Sequence, residues 1–340
     1  MKYNITDYIK NIIKNHGPLT IDRFVQITTN YYYNDIDSIG EHSDFITAPE
    51  ISQMFGEIIA IYLYKTWSIK NKGSFSLVEL GPGNGVMMSD ILRTIKNFKE
   101  MYSLIDEVAL IENSLRLKII QKNTLKKFNR LKINWYTTLE NLEGNSFFII
   151  ANEFFDILPI KQFYLKGTHI YEIVVSLDKD DNFTYGLSNN LSKLINIQQF
   201  KQKKFIEVSE HREYYIEQIS KKILNNQGAT IIIDYGYLRS PGTSTLQAVK
   251  HQQKVNFFHH AGFSDITSLV DFTKIQNCFK KRHIDSNIMN QSDFLIKYGI
   301  LERAKILLQS GMSEEKVYYQ LKKLISRDEM GILFKVLFTT

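Results

Sequence analysis

The sequence predicts an α/β fold with a doubly wound sheet. From Phe75 onward, short apolar runs typical of buried strands alternate with stretches of helical spacing. The stretch from Phe75 to Gly85, FSLVELGPGNG, passes from an apolar run through an acidic residue to three glycines at alternate positions. This pattern indicates a strand that turns tightly into a helix beneath a nucleotide-like ligand. We expect the strands to be parallel and joined by right-handed crossovers.

Two helices are predicted before this turn at the start of the chain. Apolar residues from Ile5 to Ile13 recur with helical spacing, and Gly17-Pro18 ends the run. A second helical stretch begins near Thr20. An irregular, tyrosine-rich segment follows, which we predict to be a loop.

A capping signal marks the start of the next helix. Thr47 and Glu50 have the S/T-x-x-E spacing of a capping box, and the apolar residues after them keep helical spacing over four turns. The sequence therefore predicts one long core helix over 48–67. Its N-terminal loop could fold back over the ligand cleft.

The elements between the glycine turn and residue 160 alternate regularly. Strands are predicted at Leu77–Leu80, Val108–Glu112, Ile133–Tyr136 and Phe147–Ala151, and helices at Gly85–Ile95 and Leu115–Phe128. Residues 160–205 interrupt this rhythm, because Phe163–Leu165 and Tyr171–Val175 resemble the strands of a hairpin. We predict that this segment is a β-rich insertion.

Alternation resumes after the insertion. Further elements are predicted as helices over 209–225 and 292–309 and as strands over Ala229–Ile233 and Ile332–Phe338. We therefore predict a helical extension over 1–70 and a main domain over 71–340, with insertions near 160–205 and 238–275.

Composition sets the class of protein. The 340 residues are 44% hydrophobic and 23% charged, and no apolar run approaches the roughly 18 residues of a membrane span. Cys278 is the only cysteine, which excludes an internal disulfide and a cysteine-based zinc cluster, and favours a reducing compartment. The first residues lack the layout of a secretory signal and of a typical organellar presequence. We expect a cytoplasmic, bacterial protein rather than one of the mitochondrial matrix.

The net charge of +6 permits an acidic partner. The lysines, however, lie in short scattered groups without interleaved glycines or a repeated basic helix face. This distribution favours an ordinary solvated surface, and nucleic acid is not the expected partner. We predict no metal site.

Polar residues end four of the predicted strands, where ligands bind in open α/β sheets. These residues are Glu79, Glu112, Asn152 with Glu153, and Asp234. A dinucleotide site would require a third glycine where Val86 stands, and a carboxylate at Glu79 would repel a pyrophosphate. A carboxylate is instead a good neighbour for a cation.

The pattern E-x-G-x-G-x-G is similar to the first motif of the class I methyltransferases. Their cofactor, S-adenosylmethionine, carries a sulfonium and an α-ammonium group, which Glu79 would attract. Gly81, Gly83 and Gly85 would let the backbone approach the cofactor, and Glu112 would accept hydrogen bonds from its ribose hydroxyls. The fold expected is therefore the class I, Rossmann-like methyltransferase fold with an N-terminal helical extension and an inserted β-rich segment.

Residues 152–156, Asn-Glu-Phe-Phe-Asp, bear on the methyl acceptor. They lack the N/D-P-P-Y/F pattern of exocyclic-amine methyltransferases, and no proline precedes Cys278 as in a cytosine-C5 nucleophile. Glu153 and Asp156 suit a guanidinium group, which pairs bidentately with carboxylates. A cap at a helix N-terminus is the alternative role for these two acids.

Several stretches together resemble the MidA family, the bacterial relatives of the mitochondrial complex I assembly methyltransferase. The matching stretches are DFITAPEISQMFGE from Asp44 to Glu57, LVELGPG from Leu77, NEFFD from Asn152 with Leu158-Pro159, Asp234-Tyr235-Gly236, Asp265-Ile266-Thr267 and Val270-Asp271-Phe272. The resemblance implies a protein-arginine methyltransferase, and the mitochondrial relatives modify an arginine of a complex I core subunit. A homodimer is compatible with the sequence.

We expect the candidate residues to have the following roles. Glu153, supported by Asn152 and Asp156, would orient the guanidinium group. Asp44 would help to close the cofactor site, and Asp234 and Tyr235 would contact the substrate. This chain departs from the family pattern within the glycine turn, where it has Asn84 in place of the usual arginine or similar residue. Two alternatives remain open, namely a non-catalytic assembly factor that binds the cofactor and a methyltransferase that acts on RNA or a small molecule.

Overall fold

The computed structural model describes residues 4–35, 47–70, 73–144, 146–188, 195–200, 203–224 and 228–339. The helices are α1 (Ile5–His16), α2 (Ile21–Asp35), α3 (Ala48–Ile51), α4 (Gln53–Lys70), α5 (Val86–Ile95), α6 (Lys99–Ser103), α7 (Leu115–Leu125), α8 (Glu210–Leu224), α9 (Phe272–Lys280), α10 (Gln291–Lys297), α11 (Ile300–Gln309), α12 (Glu314–Ile325) and α13 (Met330–Leu333). No described helix has the length and apolar character needed to span a membrane.

The strands alternate with these helices through much of the chain. They are β1 (Leu19–Thr20), β2 (Phe75–Leu80), β3 (Ile105–Ile111), β4 (Ile133–Tyr136), β5 (Phe147–Asn152), β6 (Lys161–Lys166), β7 (His169–Leu177), β8 (Phe183–Leu187), β9 (Phe205–Val208), β10 (Ala229–Tyr237), β11 (Leu246–Lys250), β12 (Gln253–Val255), β13 (Asp265–Ser268), β14 (Val270–Asp271), β15 (Ser286–Asn290) and β16 (Phe334–Thr339).

The chain divides into two compact units. The larger unit contains the described residues of 46–155, 214–238 and 270–340, and the smaller unit contains those of 1–45, 156–213 and 239–269. Helices α1 and α2 thus belong to the same unit as the β-rich segment, whereas α3 and α4 belong to the larger unit. The domain limits predicted from the sequence stay a prediction.

A mixed sheet forms the centre of the larger unit. Its order in the described chain is β15-β16-β10-β5-β2-β3-β4, and β14 pairs with the end of β10. The five strands from β10 to β4 run parallel, as the alternation of strands and helices predicts. The apolar strands β2 and β5 are buried along their whole length, which places the core on both faces of the sheet.

The strand order reverses between β2 and β5. From β2 the chain proceeds to β3 and β4 on one side, and it then returns to β5 on the other side. The carboxyl ends of β2 and β5 therefore border the crevice in which ligands bind in open α/β sheets. Both ends carry residues that the sequence singles out.

Four predictions of secondary structure differ from the structure. The tyrosine-rich segment predicted to be a loop is helical at its start, because α2 continues to Asp35, and residues 36–46 of that segment lie outside the described residues. The helix expected over 48–67 is interrupted at Ser52, whose backbone is extended (φ −156°, ψ 133°) and whose Oγ accepts a hydrogen bond from the Met54 amide at 3.2 Å. The helix expected over 292–309 is divided by Gly299, which has φ +99°. Strand β16 is antiparallel to β10, so a helical crossover is not needed there.

The smaller unit is built from antiparallel strands and two helices. One sheet has the order β1-β7-β6-β9, with β8 paired to β7, and a second has the order β12-β11-β13. The predicted hairpin is confirmed, because its two strands lie within β6 and β7. Apolar residues of α1 and α2, among them Ile9 and Phe24, pack with Val175 and Ile266 in a common core.

A buried acid joins three helices of the larger unit. Glu57 of α4 accepts hydrogen bonds from Arg303 of α11, from Nε to Oε2 at 2.6 Å and from Nη2 to Oε1 at 2.9 Å. Arg93 of α5 donates to the same Oε1 at 2.8 Å and to Asp90 at 2.9 Å. Because only 5% of the Glu57 side chain is exposed, water cannot replace these partners.

We therefore expect Glu57→Gln to destabilise the protein. The amide leaves two guanidinium groups with a neutral partner, so the free energy of unfolding should fall by roughly 2–4 kcal/mol. The matched control is Glu217→Gln, whose exposed carboxylate pairs with Lys221 and Arg282 and should contribute little. Urea unfolding of both variants measures the difference, and equal losses would contradict the assigned importance of burial.

Candidate active site

The carboxyl edge of the parallel strands brings several predicted site residues together. Leu80 at the end of β2 lies opposite Ala151 of β5 on one side and Ile111 of β3 on the other. The residues that follow these positions, the glycine turn, Asn152 and Glu112, therefore border the same edge. Ile233 lies opposite Asn152, so Asp234 follows on the next strand.

The glycine turn presents its backbone to open space. Gly81, Gly83 and Gly85 all have left-handed backbones, with φ of +61°, +53° and +80°. A Cβ atom added to Gly81 would lie 2.8 Å from the Phe154 ring, whereas one added to Gly83 would meet no described atom within 4 Å. The turn is thus packed on one side and accessible at Gly83, as a cofactor in close contact with the backbone requires.

Glu79 is a buried acid without a compensating cation among the described residues. Its exposure is 1%, and its Oε2 has no hydrogen-bond partner in the described part of the chain. Burial raises the pKa of this carboxyl to about 8. A cationic group placed beside it would supply the missing interaction, so Glu79 fits the positive end of S-adenosylmethionine.

Glu112 is held in one orientation by its neighbours. Its Oε1 accepts hydrogen bonds from the amides of Asn113 and Ser114, each at 2.8 Å, and its Oε2 accepts one from Gln121 at 3.1 Å. Burial raises the pKa of Glu112, although these hydrogen bonds oppose the shift. An oriented carboxylate of this kind has remaining lone pairs for the hydroxyls of a ribose.

Asn152 and Glu153 form a strained turn at the end of β5. Glu153 has φ +49°, an uncommon value for a residue with a side chain, and its amide donates to the Ile233 carbonyl at 2.9 Å. Its Oε1 accepts hydrogen bonds from Asn152 Nδ2 at 3.1 Å and from the Ala48 amide at 3.3 Å. Backbone strain of this kind is concentrated at functional sites.

Asn152 also carries a buried oxygen that lacks a partner in the part of the chain that the structure describes. The residue is 8% exposed, and no described group donates a hydrogen bond to its Oδ1. Among the described residues, the edge of the sheet thus contains two buried oxygens without a hydrogen-bond donor on neighbouring strands, Glu79 Oε2 and Asn152 Oδ1. Both suit ligand groups that donate hydrogen bonds.

The remaining predicted residues have different surroundings. Asp234 is fully buried and accepts hydrogen bonds from the amides of Phe155 and Tyr235, each at 2.9 Å, while Tyr235 packs against the Phe334 ring. Asp156 belongs to the smaller unit, where its carbonyl accepts a hydrogen bond from the Ser268 amide. Asp44 lies outside the described residues. The roles assigned to these four residues stay predictions.

The sequence did not predict the hydrogen bonds that connect the capped helix α3 to the glycine turn. The predicted capping box is confirmed, and Glu50 Oε2 accepts from the Thr47 amide at 3.2 Å. Glu50 Oε1 also accepts a hydrogen bond from Asn84 Nδ2 at 2.7 Å, and Asn84 Oδ1 accepts one from the Val86 amide at 3.1 Å. The capping pattern accounts for only the first of these contacts.

The raised pKa of Glu79 predicts how stability depends on pH. Between the unperturbed pKa of 4.5 and about 8, the unfolded chain loses this proton while the folded chain keeps it. Stability should therefore fall as pH rises through this window, by about 1.4 kcal/mol for each pH unit. Glu79→Gln removes the titration, so the variant should gain stability relative to the wild type as pH rises.

Urea unfolding between pH 5 and 8.5 measures this difference. The control is Glu100→Gln, which changes an exposed acid on α6. If the difference in the free energy of unfolding between the Glu79 variant and the wild type stayed constant across this pH range, the carboxyl would not be buried in its neutral form.

Several curated relatives that cover most of this chain carry the same name. The chain is 31% identical over 337 residues to the human "Protein arginine methyltransferase NDUFAF7, mitochondrial", covering 91% of this chain and 76% of that protein. The corresponding protein of Xenopus tropicalis is 29% identical over 355 residues, covering 95% and 82%. That of rat is 31% identical over 324 residues, covering 87% and 74%.

Solved structures share the fold. A Burkholderia thailandensis protein in complex with S-adenosyl-homocysteine superposes with a TM-score of 0.86 at 21% identity, covering 99% of this chain and 91% of that one. A native crystal structure of a protein from the same organism gives 0.83 at 22% identity with the same coverage. The predicted fold class is confirmed by this agreement.

A family described as "Putative S-adenosyl-L-methionine-dependent methyltransferase" matches residues 58–288. This range includes the glycine turn, Glu112 and Glu153. The match confirms the cofactor and the enzyme class that the sequence predicts. The chain belongs to this family of S-adenosyl-L-methionine-dependent methyltransferases.

Proposed function

We propose that the protein transfers the methyl group of S-adenosylmethionine to an arginine side chain of a protein. The observation that carries this proposal is the strained Glu153, which follows β5 beside the glycine turn of β2. A carboxylate at this edge can pair with the guanidinium group of an arginine. The names of the similar mitochondrial proteins support the same acceptor.

The cofactor would be held by the turn and two acids. Glu79 would lie beside its cationic end, the backbone of Gly81 and Gly83 would contact it closely, and Glu112 would accept hydrogen bonds from its ribose. The bound cofactor supplies an activated methyl group on a sulfonium. Glu79 would neutralise the positive charge of the cofactor, and the burial of Glu79 would keep water from screening this interaction.

The acceptor would be oriented at the end of β5. Asn152 Nδ2 and the Ala48 amide hold Glu153 Oε1 from two sides, so the carboxylate is fixed before the substrate arrives. Asn152 Oδ1 could accept a further hydrogen bond from the guanidinium group. Two acceptors at one strand end would align a guanidinium nitrogen for in-line attack and disperse its charge. The nitrogen would gain the methyl carbon as the sulfur–carbon bond breaks and S-adenosylhomocysteine leaves, and the Glu153 carboxylate would accept the proton that the nitrogen loses.

The acceptor protein is proposed to be a respiratory complex I subunit or a similar protein. The sequence resemblance to a complex I assembly family supports this choice, and a role in assembly would follow from it. The relatives' names place those proteins in mitochondria. A cytoplasmic location and a homodimer stay predictions for this chain.

We expect Gly83→Val to abolish cofactor binding without unfolding the protein. The side chain would fill the open space above the turn, and the left-handed backbone should cost roughly 1–2 kcal/mol of stability. Gly311→Val is a matched control, because Gly311 also has a left-handed backbone (φ +90°) and open space at its Cβ. Calorimetric titration with S-adenosyl-homocysteine should show binding to the control variant alone, and equal affinities would remove the turn from the site.

We expect Glu153→Gln to bind the cofactor normally and to lose methyl transfer. The amide keeps the size of the side chain but cannot pair ionically with a guanidinium group, so the rate should fall by about 100-fold or more. The assay uses methyl-labelled S-adenosylmethionine and a complex I subunit, and mass spectrometry of the peptides locates the label. Glu217→Gln serves as the exposed control.

The same assay tests the proposed function itself. Label on an arginine of the subunit supports it. Label found instead on RNA or on a small molecule, when these are offered in parallel incubations, would show that the acceptor is not a protein. Stable association with the subunit without label would instead support a non-catalytic assembly factor. Full turnover by the Glu153 variant would overturn the role of this residue while leaving the enzyme class intact.

A further inference from the structure

Gln121 of α7 is a completely buried polar residue that contacts two parts of the candidate cofactor site. Its Nε2 donates hydrogen bonds to the Gly83 carbonyl at 2.8 Å and to Glu112 Oε2 at 3.1 Å. Its Oε1 accepts a hydrogen bond from the indole nitrogen of Trp135 at 2.8 Å. One side chain thus connects the glycine turn, the acid after β3 and strand β4.

The chemistry of the three partners fixes the orientation of the amide. The indole nitrogen can only donate, so it must face Oε1 of Gln121. The Gly83 carbonyl and the Glu112 carboxylate can only accept, so they must face Nε2. A flipped amide would lose all three hydrogen bonds, and the orientation therefore follows from the network itself.

Packing reinforces the same connection. A Cβ atom added to Gly85 would lie 3.5 Å from both Cα and Cγ of Gln121, so α7 lies directly against the turn. One turn along the same helix, Thr124 Oγ1 donates to the Asn84 carbonyl at 2.8 Å. Helix α7 is thereby attached to the turn through two successive carbonyl groups.

We propose that Gln121 is a positioning residue that sets the distance between the glycine turn and Glu112, and so determines cofactor affinity. This inference rests on the cofactor site of the proposed function but not on its arginine acceptor. Glu112 Oε1 is already held by two backbone amides, so Gln121 is not needed to orient that oxygen. What Gln121 adds is the link between Glu112 and the turn, because its Nε2 bonds to both.

Trp135 makes this network observable. The chain has two tryptophans, and the other, Trp67, is buried and donates to the Gly73 carbonyl. In a Trp67→Phe background, fluorescence reports on Trp135 alone. Because its indole N–H is bonded to Gln121, ligand binding at the turn and at Glu112 should change its emission.

The test compares two changes of Gln121 with a matched buried glutamine. Gln121→Met keeps the length of the side chain and removes its hydrogen bonds. Gln121→Glu keeps the shape of the side chain but places a carboxylate oxygen, which accepts, against the Gly83 carbonyl and the Glu112 carboxylate, which also accept. Gln291 on α10 is also fully buried and donates to the Leu324 carbonyl at 2.9 Å, so Gln291→Met is the control. Each variant is made in the Trp67→Phe background, and its thermal unfolding is recorded.

Calorimetry with S-adenosyl-homocysteine should show about tenfold weaker binding to Gln121→Met and a larger loss for Gln121→Glu. Gln291→Met should bind the ligand as tightly as the parent does, even if it loses as much thermal stability as the Gln121 variants. The emission of Trp135 should respond to the ligand at the same concentrations in the parent and in the control. In both Gln121 variants, the ligand concentration needed for this response should rise in proportion to the loss of affinity.

Parent-like affinity in a folded Gln121→Met would overturn the proposal. So would an equal loss of affinity in the Gln291 control, because the effect would then follow from stability alone. Neither result bears on the acceptor, since no methyl is transferred in this experiment. A failure to methylate arginine with intact cofactor binding would in turn leave the role of Gln121 standing.

Discussion

The burial of Glu79 at the end of β2 is the constraint on which the site depends. An acid that is 1% exposed and has an unsatisfied oxygen among the described residues is costly to maintain in a folded protein. The raised pKa of this carboxyl expresses that cost, because the neutral form is preferred until about pH 8. A cofactor with a permanent positive charge, bound beside Glu79 as proposed, would remove this penalty.

A second buried acid in the same unit, Glu57, has surroundings that differ from those of Glu79. Glu57 is almost as deeply buried, yet Arg93 and Arg303 together donate three hydrogen bonds to its two oxygens. The fold therefore can supply cations to a buried carboxylate where the role is to join helices. At Glu79 the described chain supplies none, which is the arrangement expected when the counter-ion is a ligand.

The sequence predicted which candidate residues lie at strand ends better than it predicted the hydrogen bonds between them. The ends of the strands could be located because apolar runs stop at Glu79, Glu112 and Asn152. The carboxyl ends of parallel strands lie along the same edge of a sheet, so these residues were expected to lie near one another. Hydrogen bonds between elements distant in sequence could not be predicted in this way. A glutamine within α7 has no pattern that distinguishes a buried Gln121 from a surface residue, and Asn84 was noticed only as a departure from the family.

The errors in secondary structure have similar physical causes. The apolar spacing after Thr47 continues past Ser52, so periodicity alone cannot reveal the single extended residue between α3 and α4. The direction of β16 depends on which strand it pairs with, and an apolar run carries no information on direction. Such features are set by tertiary contacts, here by the Ser52 hydroxyl and by the ladder between β10 and β16.

The short helix α3 connects the two halves of the proposed reaction. At its start, the Ala48 amide donates to Glu153, the residue proposed to bind the acceptor. Within it, Glu50 accepts from Asn84 in the turn proposed to bind the cofactor. Methyl transfer depends on the alignment of donor and acceptor, and a misplacement of about 1 Å can cost a hundredfold in rate. A four-residue helix bonded to both sides limits such misplacement, which gives a physical reason why the capping segment matters to the chemistry as well as to the fold.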